Sequence, residues 1–421
     1  MKVLSLVLLF ISSNLFAARL SDLKPFNFEV LFTNPVCKTY KYDRPVITAS
    51  GKTLDSKPQN VYCKQADEAA SVVRSNSPQY RLVEWIRSND TKEIYLAYLS
   101  FSAKNVVNAL CEAVKSGVKL KIVLDGTGTD LNKDAENLKK CNSQPLVEVT
   151  YRGSTGGLGF AHNKIMIVNP NSPTTKIVFS SGNMTSGTST NHENWNFVTT
   201  SGASYFAQAH KCAIDGMIAA GDTKSNFATF MKNCRGNIKA QPESDIKVFF
   251  SPVDGKAALN QVTEAGNNSL LIEAMSHRFS GAIAELYGKF LQEQKKIKFI
   301  LDDDVYWSAT LNKDIGRNTR FESFKIFNDL VKKGMETRFL ETNQNVFQLQ
   351  HNKFMIFSFN NSGAVFNGAG NFTTAAFTKN FENFYYIEIP SVVTAYKAQY
   401  KKYFEEMATR YEDMPRDYVM P

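Results

Sequence analysis

His162-Asn163-Lys164, followed by Gly182-Asn183-Met184-Thr185 and Asn191-His192-Glu193-Asn194, is written a second time in this chain. The second copy is His351-Asn352-Lys353, Gly370-Asn371-Phe372-Thr373 and Asn380-Phe381-Glu382-Asn383. In each copy the histidine precedes the glutamate by 31 positions, 162 to 193 and 351 to 382. An apolar, strand-like run follows each lysine, Ile165 to Val168 in one copy and Phe354 to Phe357 in the other. A single His-x-Lys usually marks a surface histidine beside a solvated lysine. Order and spacing kept across two copies point instead to internal duplication and a paired site.

The duplication reaches outward from the motifs. Ile94 to Leu99 reads as a strand, and Asn105 to Lys115 as a helix with Val106, Leu110, Ala113 and Val114 on one face and Gly117 as its stop. Val118 to Leu124 then reads as a buried strand ending at Asp125. This is a β-α-β unit, whose short crossover implies parallel neighbours. The second half repeats it with Leu270 to Ala274, a helix turning Ile283, Leu286, Tyr287 and Phe290 inward, and Ile297 to Leu301 ending at Asp302. The openings also answer each other, Glu29 to Thr33 against Lys247 to Ser251. The expected fold is α/β, two similar α/β/α sandwich halves with mixed, largely parallel sheets, related by a pseudo-twofold axis. The seam falls near Gln241-Pro242-Glu243-Ser244, dividing residues 19–240 from 241–421.

The paired motifs resemble those of the phospholipase D superfamily, phosphodiesterases whose signature is His-x-Lys, four residues, Asp, then Gly-Ser/Gly-x-Asn and a downstream acidic residue. The chain departs from that signature once per copy, with Asn169 and Ser358 at the aspartate position. Some relatives acting on nucleic-acid ends also lack this aspartate. The resemblance implies two phospholipase D-like domains whose motifs meet at the axis, with no metal and no cofactor in the chemistry. It implies that His162 and His351 share the roles of nucleophile, forming a phosphohistidine, and general acid and base, with His162 favoured as nucleophile.

The residue types suit that task. A phosphodiester carries a negative charge and repels anionic nucleophiles, so a neutral imidazole attacks while a protonated one supplies the leaving oxygen with its proton. Lys164 and Lys353, two residues beyond each histidine on an expected strand, share its face and can meet the phosphate oxygens. Asn183 and Asn371 would donate amide hydrogen bonds to those oxygens as charge builds. Glu193 and Glu382 would fix the imidazole tautomers. Relatives draw that carboxylate from the opposite half, which pairs Glu382 with His162 and Glu193 with His351. A surface ion pair is the plainer reading for each glutamate.

The remaining histidines read more plainly. His192 has Phe381 as its counterpart and is a neighbour of the site, and His210 is structural in an Ala-rich helix. His277, with Arg278, follows a strand where the sheet should open, and suits either a phosphate contact or a satisfied turn. Gly126-Thr127-Gly128-Thr129 lacks the lysine and spacing of a phosphate loop and reads as a tight turn. Asp302-Asp303-Asp304 reads as a solvated turn after a strand.

Residues 1–18 carry Lys2, an apolar run from Val3 to Ile11, and small Ala17 and Ala18, the pattern of a secretory signal. The run is shorter than the roughly 20 residues a membrane span needs. Export makes disulfides the leading reading for Cys37, Cys63, Cys111, Cys141, Cys212 and Cys234. Sequence neighbours are the favoured pairs, 37 with 63, 111 with 141 and 212 with 234, and a free thiol stays open for Cys111. Zinc is disfavoured because the cysteines stand singly.

The formal charge of +9, which loses one unit with Lys2, favours a polyanionic partner, either nucleic acid or an anionic phospholipid membrane surface. The leading expectation is an exported phosphodiesterase cleaving phospholipid head groups, monomeric because one chain holds both half-sites. The alternative is a secreted metal-independent nuclease or nucleic-acid-end processing enzyme. A catalytically silent binding protein is disfavoured by retention of all eight motif residues.

Overall fold

Apolar runs bounded by polar turns pair here into two sheets of matching design. The computed structural model describes residues 17–35, 41–48, 50–56, 73–127, 132–154, 156–221, 223–303, 305–306, 318–342 and 349–414. Residues 1–16 of the expected signal, the Cys37 and Cys63 pair, Gly128, Thr129 and Asp304 lie outside the described residues. In chain order the first half contributes β1 (Asn27–Thr33), a ribbon of β2 (Lys41–Ile47) and β3 (Thr53–Ser56), β4 (Glu93–Tyr98), β5 (Lys119–Asp125), β6 (Val147–Arg152), β7 (Lys164–Val168), β8 (Thr175–Ser180) and β9 (Glu193–Thr200). The second contributes β10 (Ile246–Ser251), β11 (Leu271–Ser276), β12 (Lys296–Asp302), β13 (Glu336–Leu340), β14 (Lys353–Ser358), β15 (Gly363–Gly368), β16 (Glu382–Ile387) and β17 (Thr409–Arg410).

The first sheet runs β1-β9-β8-β7-β4-β5-β6 and the second β10-β16-β15-β14-β11-β12-β13-β17. Strand by strand these are one order, with β17 an added edge. The sheets are mixed as expected, but they are not largely parallel. Parallel pairing is confined to β4-β5-β6 and β11-β12-β13, and the other neighbours run antiparallel. The reason is connection length. Helical crossovers return the chain for a parallel partner, whereas the short links from β7 to β8 and from β14 to β15 admit only antiparallel ones.

Both faces of β7 and β14 are covered, which is why their sequences are unbroken apolar runs and do not alternate. Helices Tyr205–Ala219 and Pro390–Lys402 each touch strands of both sheets, the first on β4, β5 and β10 and the second on β1, β14 and β15. The core around them joins Ile165 and Phe179 of the first half to Phe250, Phe354 and Tyr385 of the second. Phe179 stacks on Tyr385 with centroids 3.6 Å apart. Helices Pro78–Ile86 and Lys104–Lys115 cover the outer face of the first sheet, and Gly255–Asn268 and Ala282–Gln292 that of the second. In the last of these Leu286 is only half-buried, and Ala284 and Gly288 share the inner face with Ile283, Tyr287 and Phe290.

Local chemistry sets the helix ends. Ser77 Oγ accepts from Gln79 N ahead of Pro78, and Ser204 Oγ accepts from Ala207 N. Gly117, at φ +93°, ends Lys104–Lys115 in the left-handed region. Disulfides join Cys111 to Cys141 and Cys212 to Cys234, so Cys111 is not a free thiol. Closing loops with separations of 30 and 22 residues, each contributes roughly 3 kcal/mol by restricting the unfolded chain.

The expected seam is docked against the first half. Glu243 Oε1 accepts from Phe206 N at 3.2 Å, and just beyond it Asp245 accepts from Leu20 N at 2.7 Å and Ser21 Oγ at 2.8 Å.

Candidate active site

Each motif histidine lies just ahead of its strand, since β7 begins at Lys164 and β14 at Lys353. The strand reading therefore fails for the histidines themselves. Their segments instead cross to the opposite half. Ala161 forms a parallel bridge with Phe381, and His192 forms one with Gln350. His162 N donates to Phe381 O and His351 N donates to His192 O, both at 2.9 Å. Each histidine is thus laid beside the start of the other half's glutamate strand.

The side chains follow from that placement. His162 Nδ1 donates to Glu382 Oε2 at 2.8 Å. His351 Nδ1 donates to Glu193 at 2.8 Å and 3.0 Å to its two oxygens. A carboxylate accepting at Nδ1 leaves Nε2, across the ring, with its lone pair. Lys164 and Lys353 are fully buried, and each Nζ donates to the carbonyl of its own motif histidine, at 2.9 Å and 2.8 Å. Lys164 Nζ also lies 3.2 Å and 3.3 Å from the two ring nitrogens of His162. Two buried ammonium groups persist only near counter-charge, and the two glutamates supply it.

Several residues that hold this arrangement were not singled out by sequence reading. Lys164 N donates to Asn383 Oδ1 at 2.9 Å, and Lys353 N to Asn194 Oδ1 at 3.1 Å, again across the halves. The interior helices brace these asparagines. Tyr396 Oη accepts from Asn194 at 3.2 Å, and Tyr385 Oη, bonded to His210 Nε2 at 2.7 Å, accepts from Asn383 at 3.3 Å. Asp125 and Asp302, at the ends of β5 and β12, accept from Ala161 N at 2.7 Å and Gln350 N at 2.5 Å, the residues just before the histidines. Asp302 and Asp303 are buried, so the solvated-turn reading of that stretch is wrong for both. Asn380 donates to Glu382 at 3.0 Å, Asn191 to Glu193 at 3.4 Å, and Ser181 Oγ to Glu193 at 2.6 Å. Most of these residues recur at equal positions in both copies, the signal by which the sequence offered them.

Asn183 and Asn371 each bury a side-chain oxygen that has no protein partner among the described residues, the same in both copies. The glycines before them have a packing role. A Cβ at Gly182 would come 2.7 Å from Trp195, and one at Gly370 2.3 Å from Phe384. Asn169 and Ser358 are elsewhere, at the far ends of β7 and β14. Asn169 adopts φ +54° and its Oδ1 accepts from Lys92 N and Glu93 N at 2.8 Å and 3.2 Å, a turn that ties β7 to β4. A left-handed turn suits asparagine.

Burial holds both imidazoles below the ordinary histidine value, His351 well below it. Lys353 acts on His162, and Lys164 and His162 act on His351, so the two copies share one electrostatic environment. Burial brings Lys164 down to about 8 against the pull of Glu382, Glu193 and Asp125, and drives Lys353 well down against Glu193. Burial pushes Glu193 up to about 7, with Lys353, Ser181 and Asn191 opposing. Two neutral imidazoles beside two buried lysines can attack an anionic electrophile and move its protons. Among the described residues no group of three His, Cys, Asp or Glu is arranged to hold a metal ion. Nor is any described helix long and apolar enough to cross a membrane.

His210 is buried in its helix, Nδ1 donating to Phe206 O at 2.7 Å. His192 is fully buried edge-on to Tyr403, and neither ring nitrogen has a protein partner among the described residues. Burial, with Lys402 adding, takes its pKa from 6.5 down to about 3. Between those values the unfolded chain binds the extra proton, so this residue's contribution to stability is complete above 6.5 and is lost as pH falls. His192→Phe copies the second half. It is expected to leave stability at pH 7 unchanged or raised and to remove about 1.4 kcal/mol per pH unit of acid sensitivity below pH 6.5. Urea unfolding across pH reads this, and an unchanged acid limb counts against it.

By sequence comparison no curated protein matches the chain. Among solved structures it is similar to phosphatidylserine synthase from Haemophilus influenzae Rd KW20, at 11% identity and TM-score 0.56, covering 79% of this chain and 85% of that one. It is also similar to polyphosphate kinase from Porphyromonas gingivalis, at 13% identity and TM-score 0.51, covering 78% of this chain but only 49% of the kinase, about half its length. Likeness at such identities speaks to the fold. A family model described as the cardiolipin synthase, PLD-like domain, matches residues 82–213 and 283–408, one segment in each half. Those segments take in more than half of the sequence, and the chain belongs to the phospholipase D superfamily of PLD-like domain proteins.

Proposed function

We propose that the protein is an exported phosphodiesterase that hydrolyses phospholipid head-group esters through a phosphohistidine. Its two phospholipase D-like domains divide near residue 240, and it acts as a monomer. The observation that carries the reading is the crossed pair of contacts, His162 to Glu382 and His351 to Glu193, each at 2.8 Å. Such contacts hold two imidazoles in the tautomer that presents Nε2.

In this scheme His162 Nε2 attacks phosphorus while the leaving alcohol oxygen takes a proton from His351. His351 then removes a proton from water, which opens the phosphohistidine and restores both rings. Both imidazoles are neutral in the empty site, and the incoming diester's negative charge favours protonation of one. Lys164 and Lys353 neutralise phosphate oxygens, and Asn183 and Asn371 bind them as charge builds.

The test offers purified protein vesicles of phosphatidylglycerol or phosphatidylcholine and, separately, single- and double-stranded DNA, all with EDTA. The expected result is metal-independent release of the head group. Loss of all turnover in EDTA would sink the histidine mechanism. Cleavage in the DNA arm alone would move the substrate to nucleic acid. Phe160 favours that second reading, since it stands 49% exposed two residues before His162 and offers a face for a base to stack on.

A further inference from the structure

The half-sites are alike but not equal. One difference is His277, whose ring centroid lies 5.7 Å from that of His351 where the strand register puts Leu99 in the first half. A second difference touches the carboxylates directly. Ser180 pairs with Trp195 and Gly368 with Phe384, so the residues that follow, Ser181 and Ala369, occupy equal positions. Their backbones agree, since Ser181 N donates to Asn194 O at 3.0 Å and Ala369 N to Asn383 O at 2.9 Å. Both residues are fully buried, and one of them carries a hydroxyl.

That hydroxyl has a fixed direction. Ser181 Oγ accepts from Asn194 N at 2.9 Å, which leaves its proton for Glu193 Oε2 at 2.6 Å. Glu193 therefore divides its charge among His351 Nδ1, Ser181 and Asn191. Among the described residues Glu382 accepts from His162 Nδ1 at 2.8 Å and Asn380 at 3.0 Å, and Ala369 has no hydroxyl to add. A hydrogen bond to the charged form of a carboxylate stabilises that form and weakens its pull on the other donors. Against the burial that raises Glu193, Lys353 and then the Ser181 hydroxyl draw it down.

We infer that Ser181 makes the duplicated site unequal: it takes up charge that Glu193 would otherwise lend His351, and so leaves His162, whose Glu382 has Ala369 at the matching position, as the better carrier of the phosphoryl group. Ser181 is a positioning residue that acts through Glu193. This deepens the phosphodiesterase reading above and rests on it.

The division matters most at the intermediate. His162 Nε2 gives its lone pair to phosphorus as the bond from phosphorus to the alcohol oxygen breaks, and that oxygen leaves with the proton of His351. The phosphorylated ring keeps its Nδ1 proton and is a cation, which a carboxylate with undivided charge stabilises most. His351 never carries that cation. It takes a proton from water as the water oxygen bonds to phosphorus and the N–P electrons return to Nε2. Beyond burial, Lys164 and Lys353 act on both rings, and His277 further lowers the proton affinity of His351, in the same sense as the hydroxyl.

The experiment compares the native chain with Ser181→Ala, with Ala369→Ser and with the two combined. Its first arm needs no turnover. The Nδ1 protons of His162 and His351 are observed by proton NMR at pH 8, above the value of about 7 for Glu193, and assigned by their loss from His162→Ala and His351→Ala. Ser181→Ala should move the His351 proton downfield, as its hydrogen bond strengthens, and leave that of His162 in place. Ala369→Ser adds a donor and removes no contact, so it should move the His162 proton upfield and leave that of His351. Packing damage would move or broaden both. An unmoved His162 proton in Ala369→Ser, or two signals that shift together in either variant, overturns the inference.

A second arm locates the phosphoryl group by peptide mass after rapid, acid-free quenching with bis(4-nitrophenyl) phosphate, whose identical arms impose no direction on binding. The native protein should carry it on His162. The combined variant should raise the share on His351 at least about tenfold, the change expected when one charge-assisted hydrogen bond is moved. A native protein phosphorylated on His351, or one distribution in native and combined proteins, overturns the inference. If no protein forms a phosphohistidine while the NMR signals shift as stated, the phosphodiesterase reading falls and the hold of Ser181 on Glu193 stands.

Discussion

Alanine at His162, or at His351, is expected to lower turnover of a phosphodiester by about 10,000-fold or more. The motif lysines and glutamates beside the two rings are already committed. Lys164 and Lys353 donate to the histidines' own carbonyls, and the glutamates are committed to Nδ1. The two variants should fail in different ways on a 4-nitrophenyl ester, whose leaving group departs without an acid. His351→Ala should form a phosphorylated histidine and stall, because no base activates water. His162→Ala should form none. Quenching without acid and counting phosphohistidine by mass reads the difference, and the opposite distribution reverses the two roles. Should both variants keep turnover within about tenfold of the native protein, the paired-imidazole scheme fails.

Glutamine at Glu382, and separately at Glu193, is expected to cost kcat roughly 100- to 10,000-fold with KM little changed. Glutamine keeps the shape, but its amide donates where the carboxylate accepted. The imidazole proton is then driven from Nδ1 to Nε2, the atom that must attack or relay. Stability should move the other way. This holds for Glu193, which is fully buried and whose desolvation outweighs the pull of Lys353.

For Glu193 the sign follows from its raised pKa. Its contribution to stability is complete below 4.5 and is lost as pH rises through about 7, where the native protein must bury the charge. Glu193→Gln should therefore unfold in urea at pH 8 no earlier than the native protein. Activity lost together with stability would mean a damaged fold, and a loss of kcat under about tenfold would remove the tautomer argument.

Much of the fold was legible because the chain states it twice. Val118 to Asp125 and Ile297 to Asp302 each follow a strand and a helix, the short crossover that implies parallel neighbours, and β5 and β12 are those strands. Parallel pairing reads as more extensive from the sequence than it is, because the β-α-β unit is the part of each half whose periodicity is plainest. Asp125 and Asp302 were read as strand ends. Their hydrogen bonds to Ala161 and Gln350 span loops with no periodic signal. Asn169 looked like a gap in a catalytic signature, whereas in three dimensions it occupies a left-handed turn at the far end of β7.

The sequence by itself determined that two equal sets of His, Lys, Asn and Glu exist, in one order and at one spacing, because local residue types and their repetition need no fold to be seen. That the carboxylates change partners across the halves was an expectation drawn from resemblance. Only the tertiary structure decided it for these residues, since contacts 220 and 158 positions apart depend on how two sheets pack about a shared core. The same packing set His277 beside His351 and left Leu99 at the matching place opposite, a difference that the sequence printed but whose position in the site local chemistry cannot tell.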